Sequence, residues 1–101
     1  MVVPGIQAEF AEGLPDHLSE DWDWEFWSFH SPEWWKRLWN RTGKVTVTHA
    51  DMVPDGWRQW HLWLDVCQEG GFPMDIKEMA MLERDAGRNL GFSRVVAQRA
   101  S

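Results

Sequence analysis

Nine tryptophans and no tyrosine in 101 residues is the feature that most limits what this chain can become. Each indole can bury about 150–250 Å², on the order of 4–6 kcal/mol at roughly 25 cal/mol per Å². So many large rings on so short a chain must either fill its interior or face a partner. Six lie between Trp22 and Trp39, and Trp57, Trp60 and Trp63 form a second group. Ordering the backbone costs about 1–2 kcal/mol per residue, so a chain of this size needs most of that aromatic area inside. Helical spacing assigns Trp35, Trp39, Trp60 and Trp63 to the core. Trp22, Trp24 and Trp27 lie among acids in irregular sequence, where rings beside carboxylates can stack on a cation, a sugar or a planar substrate. The absence of Tyr weakens the sugar reading.

Charge is unevenly spread. Residues 1–33 hold eight acids and no Lys or Arg, in a chain of net charge −6. An acidic first third repels phosphate and no basic stripe continues along the chain, which argues against nucleic-acid binding. The acidic stretch reads as a solvated face; selection of a cationic ligand is the sharper alternative. Cys67 is the single cysteine, so neither a disulfide framework nor a cysteine metal cluster is expected, and its place on an apolar helix face suggests an inert buried thiol. No apolar run approaches the roughly 20 residues of a membrane helix. Met1 leads into Val2-Val3-Pro4-Gly5 without a basic flank or a long apolar core, so the expected setting is cytoplasmic and away from membranes.

Along the chain, Met1-Val2-Val3 is an apolar scrap that Pro4-Gly5 cuts off, a strand end near 1–3. Residues 6–30, punctuated by Gly13 and Pro15, read as short irregular helices or a lid-like excursion. Ser31-Pro32-Glu33 is a helix start: Ser31 caps, Pro32 suits the first turn and Glu33 meets the positive end of the dipole. The spacing of Trp35, Leu38, Trp39 and Thr42 predicts a helix over 31–42, stopped by Gly43. Lys44–Ala50 alternates as a strand, with Val45, Val47 and His49 on one face. Asp55 is placed to cap a helix over 56–68 whose inner face carries Trp60, Trp63, Leu64 and Cys67. Asp75 is placed to cap a helix over 75–90 with Ile76, Met79, Leu82, Ala86 and Leu90 inward, ended by Gly91. Phe92–Arg99 reads as an interior strand because Val95 and Val96 make both of its faces apolar.

Among groups that carry chemistry, no glycine-rich phosphate loop or nucleophile elbow is present. The four histidines show no metal-binding spacing; His61 and Asp65 are four apart, which reads as a helix-surface pair, and no metal site is expected. Glu25, His30 and Asp51 are acid–base candidates only if folding brings them together, and no catalytic residue is assigned.

Taken in order, VVPG, FWSFHSPEWWKRLWNRTGKV, DMVPDGWRQWHLWL and ERDAGRNLGFSRVVAQR resemble the C-terminal half of a class I S-adenosylmethionine-dependent methyltransferase of the small bacterial type. The resemblance implies an α/β fold, or α+β as an isolated fragment: the C-terminal half of a seven-stranded Rossmann-like sheet. Val2-Val3 would then end the fifth strand, Lys44–Ala50 would be the sixth, and Phe92–Arg99 the seventh, antiparallel between them. Residues 6–30 would be the insertion that forms a lid in relatives. The family's donor site uses a glycine-rich turn after its first strand and an acid ending its second. This chain has neither, and Gly70-Gly71 lies between helices. S-adenosylmethionine is thus the family cofactor, with none expected to bind this chain alone.

The resemblance carries over to the substrate side only, as Glu25, Trp27, His30, Trp34 and Trp57. The expectation is a truncated or split methyltransferase, inactive alone, acting on a small molecule. It would self-associate or be completed by an N-terminal methyltransferase half, because an unpaired sheet edge beside Val2-Val3 invites another chain. The alternative is a non-enzymatic aromatic-rich module that binds a small cationic or planar ligand.

Overall fold

The computed structural model describes residues 1–71 and 76–100. Its fold is mixed α and β, built on a three-stranded sheet ordered β1-β3-β2, with β1 at Val2–Ile6, β2 at Val45–Met52 and β3 at Leu90–Arg99. β3 is central and antiparallel to both neighbours. Its interior position is the one its two apolar faces predict, and the sheet is antiparallel throughout.

Helices cover both faces. Short α1 (Asp16–Ser19) and a 3₁₀ turn (Trp24–Ser28) lie within the excursion after β1; α2 is Pro32–Arg41, α3 Gly56–Glu69 and α4 Ile76–Asp85. Ser31 caps α2 as expected, its hydroxyl accepting from the Trp34 N–H at 3.2 Å, and Gly43 follows at φ 71°. Successive strand residues point to opposite faces. Ser93 therefore faces α2, its hydroxyl donating to the His30 carbonyl at 2.8 Å, while Phe92 faces α3 and stacks on Trp60. The core lies on the α3 side, where Ile6, Leu18, Trp60, Leu64, Met81, Leu82 and Leu90 are buried together. Each such aliphatic side chain contributes about 1.5–3 kcal/mol.

Several expectations are corrected. β1 is not cut off at Pro4 but runs to Ile6. Met1 and Val95 exchange both hydrogen bonds, so Pro4, three residues on, sits opposite Phe92 in a non-hydrogen-bonded pair. Its missing N–H costs the sheet nothing there. His49 does not share a face with Val45 and Val47, because a bulge at Thr48 shifts the register against β3 between Val47 and His49. Asp55 makes no side-chain cap and is itself left-handed at φ 53°.

Trp63 is 60% exposed, because the buried stripe of α3 runs through Gly56, Trp60 and Leu64; Cys67 is half-buried. The last helix stops at Asp85, since Ala86 (φ 49°) and Gly87 (φ 80°) turn left-handed; Leu90 and Gly91 then belong to β3. Met81, fully buried on α4, was not among the expected inward residues, whereas Ala86 is exposed. The expected cap at Asp75 lies outside the described residues.

Candidate functional site

At the carboxyl end of β1 the chain turns out of the sheet, and Glu9 comes to lie over the start of α2. Its carboxylate takes two hydrogen bonds: from His30 Nδ1 at 2.7 Å through Oε1, and from the Ser31 N–H at 2.8 Å through Oε2. An ionised carboxylate only accepts, so whenever the ring is neutral its proton sits on Nδ1, facing Glu9, and Nε2 is the lone-pair nitrogen. The imidazole stacks on the Trp34 indole with centroids 3.6 Å apart and planes 7° apart. Trp35 stands edge-on to both rings. Its buried indole N–H, like that of Trp22, finds no acceptor among the described residues.

The backbone beneath is fixed as firmly as the ring. The His30 carbonyl accepts from the Ile6 N–H at 3.3 Å and from Ser93 Oγ at 2.8 Å. This approach requires Gly5, where a Cβ would lie 2.6 Å from that carbonyl oxygen. His30 is thus held through its ring, its carbonyl and the N–H that follows it.

Of the residues expected at a substrate site, the structure brings His30 and Trp34 together. Trp27, 60% exposed, meets the edge of Trp22 at 5.5 Å instead. Trp57 lies at the start of α3 with the Arg58 guanidinium 5.4 Å from its ring, where it packs on Gly87 so closely that a Cβ there would be 2.5 Å from Cδ1. It borders a separate cleft of about 150 Å³ at the strand ends, with Gln7, Met52, Asp55 and Gly91. The Glu25 side chain lies outside the described residues. Trp22 is not presented to a ligand; Phe10, Phe26 and Phe29 surround it edge-on. Glu9 is the member of the cluster that sequence reasoning missed. Its signal is positional only: an acid three residues beyond the end of β1.

The other histidines also face carboxylates. His17 Nε2 lies 2.8 Å from Asp85 Oδ1, His61 Nε2 lies 2.8 Å from Glu83 Oε1, and His49 Nε2 lies 3.1 Å from Asp51. Asp51 is not an acid–base partner of His30. A bidentate bond from Arg94 at 2.6 and 2.8 Å, the largest influence, holds its carboxyl down at about 2, with His49 adding and partial desolvation opposing. Burial works to raise Asp85, but hydrogen bonds from His17, the Leu90 N–H and Asn89 outweigh it and hold the carboxyl below its ordinary value.

No group of three or more His, Cys, Asp or Glu among the described residues is arranged to hold a metal. No helix of the described residues is long and apolar enough to cross a membrane. The chain matches no protein-family model, no curated protein and no solved structure.

Proposed function

We propose that this chain is the substrate-side half of a methyltransferase-type unit, in which the Glu9–His30–Trp34 cluster receives a small molecule and the methyl donor is held elsewhere. The observation that carries this reading is the order β1-β3-β2 with β3 antiparallel to both neighbours. It is the arrangement implied for the fifth, seventh and sixth strands by the resemblance. His30 then serves as proton acceptor at Nε2 for an O–H, N–H or S–H group of the substrate. Glu9 orients the ring.

Among the described residues, the turn from β2 into α3 is not the glycine-rich turn that the resemblance implies for the donor. The turn from β2 into α3 contains one glycine, Gly56, and the position its Cβ would take lies 3.0 Å from the Phe92 nitrogen, so that glycine serves packing. Donor binding therefore belongs to another polypeptide segment. The outer edge of β1 supports such a neighbour along its first half. Val2 directs its N–H and C=O outward, Pro4 offers a carbonyl only, and the Ile6 N–H is taken by His30.

Calorimetric titration of the 101-residue chain with S-adenosylmethionine tests the reading: no saturable heat is expected, and micromolar affinity would overturn it. Sedimentation at micromolar concentration is expected to show association, with a clean monomer counting against a neighbour at β1.

A further inference from the structure

On the α3 side of the sheet the cover is incomplete. Pro4, Phe92, Trp60 and Trp63 line an apolar hollow of about 320 Å³. It adjoins a second of about 360 Å³ that shares Pro4, Trp60 and Trp63 and adds Phe29, Asp23 and Glu78. Trp60, 4% exposed, is the floor: it stacks on Phe92 at 5.9 Å and meets Phe29 edge-on at 5.4 Å. Its indole N–H donates to Glu78 Oε1 at 2.8 Å, which fixes that carboxylate at the wall. Trp63, 60% exposed, is the open side. Among the described residues lining either hollow there is no Lys, Arg or His.

Rings and carboxylates together select by charge and by hydration. Asp23 and Glu78 repel an anion. A small hydrated metal ion keeps its water and gains nothing from indole faces, and a neutral apolar molecule gains nothing from the carboxylates. A cation whose charge is spread over methyl groups meets both kinds of wall, because ring faces are negative and its surface is apolar. We propose that the Trp60–Trp63 groove binds a small N-methylated ammonium compound. The groove shares no residue with the Glu9–His30–Trp34 cluster and does not depend on the methyltransferase reading.

The test titrates the full chain with choline and, separately, with its uncharged isostere 3,3-dimethyl-1-butanol, following the indole N–H signals by NMR. Choline is expected to move Trp60 and Trp63 saturably while Trp24 stays still, and the alcohol to bind about 10-fold more weakly. Trp63→Ala, at an exposed position, is expected to abolish the response. Asp23→Asn is expected to weaken it about 5-fold with the thermal midpoint retained. Equal binding of the alcohol would reduce the groove to a plain apolar surface and overturn the proposal. So would the absence of saturation, or unchanged choline binding in both variants.

Discussion

Residues 7–30 reach the rest of the molecule through charged ties as well as apolar packing. His17 pairs with Asp85, Asp21 with Arg84, and Glu9 accepts from the Ser31 N–H. By contrast α3, α4 and β3 meet across an apolar interior of Leu64, Met81, Leu82 and Leu90, with Trp60–Glu78 and His61–Glu83 at its margin. Leu18 and Phe26 carry the excursion into that interior as buried side chains, and Phe10, Leu14, Trp22 and Phe29 pack against it. Apolar burial depends weakly on pH, whereas a tie through a carboxylate is lost when the carboxylate is protonated. The excursion's attachment therefore has a pH-dependent part that the apolar interior lacks, and its two ends carry Glu9 and His30.

The largest expected effect lies in the body. Leu64→Ala should cost about 3–4 kcal/mol in urea unfolding, and Leu18→Ala about 2–3, because a segment with fewer apolar contacts can close on the space left behind. Equal losses would erase the distinction between the two regions. Asp85→Ala comes next, at about 2–3 kcal/mol, since it leaves the buried Leu90 N–H without its acceptor. Hydrogen exchange should accelerate across 7–30 more than across α3.

The pH response follows the same site. The folded-state value of Asp85 is lowered, so its contribution is complete above the ordinary 3.8 and is lost as pH falls through the depressed value. Acid titration of unfolding, wild type against Asp85→Asn, should show that loss in wild type only. Glu9→Gln should cost about 1 kcal/mol and release the tautomer preference of His30, visible in its ring ¹⁵N shifts. Trp24→Ala, at a ring 80% exposed, should change stability by less than about 0.5 kcal/mol.

The body was also the more legible region. Helical spacing located α2 and α3, and alternation located β2, because each element buries one periodic face. The two apolar faces of Val95 and Val96 placed β3 inside the sheet, although Val96 itself is half-exposed on the less covered side. Periodicity failed where one residue broke it: Thr48 bulges, Ala86 turns left-handed, and Trp63 has helical spacing but no neighbour to bury it. The site was half visible. His30 and Trp34 are four apart beside a helix start, a spacing at which rings meet. Glu9 is 21 positions from its partner His30, and its pairing arises from the return of an irregular segment that no local pattern describes.

Pro4 has a consequence for the shape of any larger assembly. A strand laid along the outer edge of β1 finds a donor at Val2 and none beyond it, so it runs out of ladder at the proline and must rise away from the sheet. That departure marks a threshold. On one side of it β1 offers a ladder to another chain; on the other, its outward N–H at Ile6 is already held by the His30 carbonyl.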